Sequence, residues 1–333
     1  MRARDGRMSR ALRSLRRLPG GDVNATGPLL SAVVRASGGR GVIVNFHTLT
    51  AEQTRRQVSL LARYFELIDL ETMVTTLDER RARGAPPFCL LTFDDGKRSN
   101  ATATAPVLDE LGVKAVFYVC TAFVSDGTRP LWFDRYEALA RVTDVASFGL
   151  GADIVKRLPA AVRDRRIDEA CAATGVDADL HDDDVAPMTW DQARALASRG
   201  HTIGAHGTWH AILPFESAAD ATRDITTSVA DVRREIGACA TFAYPNGNSS
   251  APLTDHVASL GVGTVMTTEP TWVHARHSLV HLPRVQLFGH QGTDRVRAKL
   301  VAARVPGVLR NPDSSATSTR RRGLRRREPE LRR

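Results

Sequence analysis

Residues 88–96 read Phe-Cys-Leu-Leu-Thr-Phe-Asp-Asp-Gly. The run Phe88–Phe93 is apolar or β-branched throughout and follows Pro86-Pro87, which predicts a buried strand. Two carboxylates, Asp94 and Asp95, stand at its C-terminal end with a glycine behind them. In a parallel barrel that end of a strand opens onto the catalytic mouth. One carboxylate can bind a metal while the other stays free as a base. The plainer alternative is a helix N-cap, for which Asp is a common choice.

Outward from this stretch the chain alternates strand and helix. GVIVNFH (41–47) predicts a strand, Thr50 caps a helix running to about Tyr64, and residues 70–83 predict another, stopped by Gly84 and the two prolines. A helix over 101–111 ends at Gly112, and VKAVFYV (113–119) predicts the next strand. The rhythm repeats in WDQARALASRG then HTIGAH, in ITTSVADVRREIG then TFAYP, and in TDHVASLG then VGTVMTT. Strand, helix, strand at this spacing predicts an α/β fold with parallel crossovers. Residues 134–180 read as helical, without recognisable chemistry.

A second constellation is His206-Gly207-Thr208-Trp209-His210. Imidazoles four apart on one helical turn share a face and can reach one ion. Ten histidines in the chain make one such pair a weak signal alone. The pair, however, directly follows a predicted strand, as Asp94 and Asp95 follow theirs. One Asp and two His make three protein ligands, the composition of an open, catalytic metal site. A third segment, Phe242-Ala243-Tyr244-Pro245-Asn246-Gly247, is a strand running into a turn that could line a groove.

In this order the three segments resemble the polysaccharide deacetylase family with the NodB homology domain (carbohydrate esterase family 4). Thr92-Phe93-Asp94-Asp95-Gly96 matches its first motif, His206 to His210 resembles its second, and Tyr244-Pro245 falls at its third. Phe46-His47, Met188-Thr189-Trp190-Asp191 and Leu282-Pro283-Arg284-Val285 are weaker echoes. The resemblance spans about residues 41–290. It implies a distorted (β/α) barrel and a hydrolase that removes acetyl groups from an N-acetylated or O-acetylated glycan or glycolipid. It further implies a divalent metal, usually zinc, on Asp95, His206 and His210, with Asp94 as general base and metal-bound water as nucleophile. Asp-His-His also accepts cobalt, nickel or iron. Tyr244, Pro245, Trp209 and Arg284 are the candidate substrate contacts. For the general acid the family uses a His in a late L-x-H segment. Leu279-Val280-His281 fits literally, and His47 is the alternative. Gly207 stands where the family has Ser or Thr. The Arg that orients the base in the third motif is missing near Thr241 and Phe242, and Arg284 is the candidate to replace it from another strand. A degenerate glycan-binding barrel and an amidohydrolase for a small non-sugar amide are the rival readings.

Composition bounds the rest. The 333 residues carry a net charge of +9, but seven Arg against one Asp in residues 1–17 and eight Arg against two Glu in 320–333 contribute +12, leaving −3 for the body. A slightly acidic body argues against a nucleic-acid partner. The Arg-rich ends instead suit peripheral contact with an anionic membrane, or serve as solubilising tails. The expected organisation is a basic, disordered arm over 1–40, the barrel over 41–310, and a disordered tail over 311–333. Cys89, Cys120, Cys171 and Cys239 form no C-x-x-C pair, so no disulfide framework is expected. LLSAVV (29–34) is too short and too late for a signal h-region, and no apolar run reaches about 18 residues. A cytoplasmic or peripherally membrane-attached protein is the expectation.

Overall fold

In the computed structural model the chain is described over residues 26–305, apart from residues 39, 83–85 and 274–276, and at residue 309. The elements follow the alternating pattern. Thr26–Arg35 is α1, Val42–Phe46 β1, Ala51–Ala62 α2, Glu66–Leu67 β2, Leu70–Ala82 α3 and Phe88–Phe93 β3. A π-helical turn (Asn100–Thr104) leads into α4 (Ala105–Leu111), and Val116–Val119 is β4. Four helices follow: α5 (Thr121–Asp126), α6 (Trp132–Ala140), α7 (Ala152–Val155) and α8 (Ala160–Thr174). The chain then runs through α9 (Trp190–Ser198), β5 (Thr202–Ala205), α10 (Ala218–Ile236), β6 (Thr241–Ala243), α11 (Ala251–Ser259) and β7 (Thr264–Met266). It closes with β8 (Val285–Gln286) and α12 (Thr293–Ala302).

Every strand pairing is parallel, in the order β7-β6-β5-β4-β3-β1-β8, with β2 beside the start of β3. The sheet curls towards closure. Met266 at the end of β7 bridges Leu282, and Thr267 donates to the Leu282 carbonyl at 2.8 Å, just before the chain enters β8. This is the expected distorted barrel.

Alternation along the strands sorts the core into two layers. Ile43, Leu90, Val116, Tyr118, Ala243 and Met266 pack together on one side of the sheet, inside the curl. Val42, Val44, Phe46, Leu91, Phe93, Phe117 and Val119 pack outward against the helices. The helix ends follow local chemistry. Thr50 with Gln53 and Thr189 with Gln192 form capping boxes, and Gly112 ends α4 in a left-handed conformation. All four cysteines are buried and free.

The basic arm expected over 1–40 is helical over Thr26–Arg35. Leu30 and Val34 are buried, and Thr26 donates to Asp294 at 2.8 Å. An amphipathic segment gains from covering the core, and Arg content upstream gave no sign of that. Residues 1–25 and 310–333, which hold the remaining arm and the tail, lie outside the described residues. No helix among the described residues is long and apolar enough to cross a membrane.

Candidate active site

The site forms where β3 and β5 end. Asp94 still belongs to the sheet: its backbone N–H donates to the Phe46 carbonyl at 2.9 Å. Asp95 does not, having φ of 79°, rare for a residue with a side chain. On an extended strand, neighbours point to opposite faces. The left-handed step re-aims Asp95, so both carboxylates reach the same mouth. Gly96 continues the turn at φ 77°, where an added Cβ would stand 3.1 Å from Val119. The helix-cap alternative for the Asp pair does not fit this geometry.

On β5, His206 extends the ladder by donating to the Val119 carbonyl at 3.0 Å. Its Nδ1 lies 2.7 Å from the Ala243 carbonyl, which places the proton on Nδ1 and leaves Nε2 as the free lone pair. His210 does not follow on a helical turn, as the spacing suggested. Residues 206–210 form a loop with Gly207 at φ 72° and His210 at φ 57°. The two rings still converge, with centroids 5.0 Å apart.

Asp95 Oδ1 lies 3.6 Å from Nε2 of His206 and 3.6 Å from Nε2 of His210. One ligand atom from each of the three residues falls within 4.8 Å of the others, and all three residues are buried. Neither oxygen of Asp95 has a hydrogen-bond partner among the described residues. Three ligands at bonds of about 2.1 Å require such a spread, so these residues fit a divalent metal.

Asp94 is held differently. Arg284, itself fully buried, grips it with two parallel bonds, Nη1 to Oδ1 at 2.6 Å and Nη2 to Oδ2 at 2.8 Å. Arg284 is fixed in turn through Nε to the Thr267 carbonyl at 3.0 Å and Nη1 to Thr92 at 3.2 Å. Asn45, one layer down on β1, donates to Asp94 Oδ2 at 3.4 Å. Burial pushes the Asp94 carboxyl up, but the charges of Arg284, His206 and His47 and the Arg284 hydrogen bonds outweigh it and hold the group below its ordinary value. Arg284 therefore sits on the carboxylate next to Asp95 rather than in an open groove.

The other candidates divide. His47 follows β1 directly, and a charge on it acts on both Asp94 and His210. His281 is half exposed, with Glu269 Oε2 4.0 Å from its Nε2. Tyr244 is fully buried in the helix-facing layer, packed on Phe242 and bonded to Thr254 at 3.1 Å. Its parity with Phe242 turns it away from the mouth, which corrects the groove-lining expectation; burial pushes its hydroxyl up to about 12. Pro245 backs the ligand loop at Gly207. Trp209 is partly exposed and, with Arg129, Glu216 and Asp224, lines a cavity of about 310 Å³ beside that loop.

The glycine at 207 has a local reason. A Cβ there would stand 2.7 Å from Asp224 Oδ1. Asp224 anchors the loop through the backbone N–H of Thr208, 3.2 Å from each oxygen, and through the Thr208 hydroxyl. Burial raises the Asp224 carboxyl to about 6 against these bonds.

A family profile described as polysaccharide deacetylase matches residues 82–265, more than half of the chain. The chain belongs to the polysaccharide deacetylase family. Membership makes it a hydrolase acting on carbon–nitrogen bonds other than peptide bonds. No curated protein matches it by sequence. Among solved structures, it is similar in fold to the Streptococcus pyogenes deacetylase PplD, determined in complex with acetate. The TM-score is 0.55 at 15% identity, over 78% of this chain and 98% of that one. A de-N-acetylase from Aggregatibacter actinomycetemcomitans aligns with TM-score 0.52 at 13% identity, covering 78% and 100% of the two chains. The BpsB deacetylase domain from Bordetella bronchiseptica aligns at 0.51 and 17% identity, covering 75% and 97%. Within this deacetylase, sequence reasoning missed Asn45; Lys97, which is buried and pairs with Asp134; and Trp132, whose indole N–H donates to the His210 carbonyl. Asn45 alone carried a signal: a polar residue inside the apolar run VIVNF.

Proposed function

We propose that this family member removes acetyl groups from an N-acetylated, or O-acetylated, glycan or glycolipid, using a divalent metal held by Asp95, His206 and His210. The observation that carries the reading is the buried Asp95 carboxylate. No described residue donates to either oxygen, while two Nε2 atoms stand 3.6 Å from one of them. A buried charge without a partner is costly, and a cation among these groups removes the cost. Zinc is the first choice for this donor set, with cobalt, nickel or iron as alternatives. When bound, the metal supplies Lewis acidity towards the acetyl carbonyl and lowers the pKa of water.

The chain's own groups do the rest. Asp94, kept ionised by Arg284, takes the proton from the water that attacks the acetyl carbon. Arg284 fixes the plane of that carboxylate by occupying both oxygens from one side. His47, at the end of β1, gives a proton to the leaving nitrogen or oxygen as the acetyl bond breaks, the role that the motif match assigned to His281. Trp209 and its cavity offer an aromatic surface to the neighbouring part of the glycan. The Arg-rich ends bring the enzyme to anionic membranes, which sedimentation with anionic and neutral vesicles tests.

The experiment for the central reading is metal content measured together with acetate release from a panel of N-acetylated and O-acetylated oligosaccharides. One bound metal and metal-dependent acetate release are expected. A protein that binds glycan but releases no acetate with zinc or cobalt present is a binding module instead.

A further inference from the structure

Outside the barrel, the first turn of α6 touches both metal-bearing loops with three successive residues. Trp132 donates its indole N–H to the His210 carbonyl at 3.1 Å. Phe133 stands edge-on to the His210 imidazole, with centroids 5.0 Å apart at 76°. Asp134 pairs with Lys97, which lies two residues beyond Asp95 and is buried. The Lys97 ammonium also donates to the Val185 carbonyl at 3.2 Å and faces the rings of Phe123 and Phe133 at 5.0 and 5.1 Å. The Trp132 ring is itself fixed by the buried Arg163 guanidinium, 4.2 Å from its centre.

His210 needs this support more than its partners do. His206 continues a strand and has Nδ1 tied to a carbonyl. His210 has neither advantage. It lies in a loop at φ 57°, and its buried Nδ1 has no hydrogen-bond partner on another residue. A left-handed histidine is strained and persists only where its surroundings over-determine it. The His206 ring meets the His210 ring with centroids 5.0 Å apart, and from outside the three proposed ligands His210 is held by the Trp132 N–H on its carbonyl and the Phe133 edge on its ring.

We infer that Trp132 is a positioning residue for the metal ligand His210, with Phe133 as the wall that orients the imidazole. The inference rests on the reading of Asp95, His206 and His210 as a metal site. Groups that orient ligands from outside typically change metal affinity by about 10–100-fold when removed. Trp132→Phe keeps most of the ring and deletes the N–H. Phe133→Leu keeps the apolar bulk and deletes the flat edge, so the inference does not depend on one variant folding.

The test is zinc affinity by competition with a chromophoric chelator, together with the visible spectrum of the cobalt-substituted protein. Both variants are expected to bind zinc about 10–100-fold more weakly and to show shifted cobalt bands. A residue serving the core alone lowers the melting temperature without moving either readout. Native zinc affinity and an unaltered cobalt spectrum in both variants overturn this inference while leaving the metal site standing. Native protein that takes up neither zinc nor cobalt overturns the metal reading and this inference with it.

Discussion

The two histidines of the site show two ways of fixing a side chain. His206 is placed by the barrel: strand register sets its position and a neighbouring strand's carbonyl sets its ring. His210, four residues later, is placed by what surrounds the loop. Asp224 on α10 grips Thr208, and α6 grips His210 itself. Asp94, the proposed general base, belongs to the first kind, since it is tied into β1 by its backbone and to the approach to β8 by Arg284. Barrel-held groups are fixed by a repeating lattice of hydrogen bonds, and the loop-held ligand by a few side chains. The backbone position of the first should survive changes to surrounding side chains, and that of the second should not.

The largest effect is expected at Asp94, the proposed base. Asp94→Asn keeps the shape and removes the proton acceptor, so acetate turnover should fall by about 10²–10⁴-fold with metal content unchanged. Kinetics and metal analysis on the same sample check this, and native turnover reduces Asp94 to a structural residue.

Arg284→Gln breaks a buried ion pair and should cost about 3–5 kcal/mol in chemical denaturation. The pH dependence follows from the same pair. In the native protein the Asp94 carboxyl is held below its ordinary value. Its stabilising contribution is therefore present above the unfolded pKa of about 3.9 and is lost as pH falls through the folded value. Without Arg284 the largest counterweight to the upward push of burial is gone. The acid limb of the pH–rate profile should move to higher pH in any Arg284→Gln protein that folds.

The loop should prove more fragile to a small change. Gly207→Ala puts a Cβ at φ 72° and 2.7 Å from Asp224, so a loss of about 1–3 kcal/mol is expected. Because the loop carries His210, metal affinity should fall with it, whereas strand-borne His206 alone would not transmit the change. Equal metal affinity in Gly207→Ala would break the distinction drawn between the two ligands.

How far the sequence foretold this follows the same division. The β3 segment was legible because its message is local: an apolar run, then two carboxylates, then glycine. The His206–His210 pair was found by spacing, but for the wrong reason. A helical turn brings residues four apart together, and so does a loop with two left-handed residues, and spacing alone does not separate them. For the general acid the sequence offers two signals, the literal L-x-H match at His281 and the position of His47 just past a predicted strand, and neither by itself decides between them. Tyr244 was misplaced although parity with Phe242 was there to be read. Trp132 and Lys97 were out of reach, because their roles exist only once α6 packs across the barrel mouth.

The smallest predicted effect is on the loop's anchor. Burial raises Asp224 to about 6. A raised carboxyl binds its proton more tightly in the folded state, so stability is gained as pH falls from 7.5 through 6. The gain to pH 5.5 is about 1 kcal/mol. Asp224→Asn should remove that part of the pH dependence, as melting curves at the two pH values will show.

The most direct test of the central claim is the location of zinc in crystals of the zinc-loaded protein, by anomalous scattering at the zinc edge. The account predicts one peak bonded at about 2.1 Å to Asp95, Nε2 of His206 and Nε2 of His210, with Asp94 beside it and still paired to Arg284. A zinc peak elsewhere, or none among these three residues in protein that releases acetate, would contradict it.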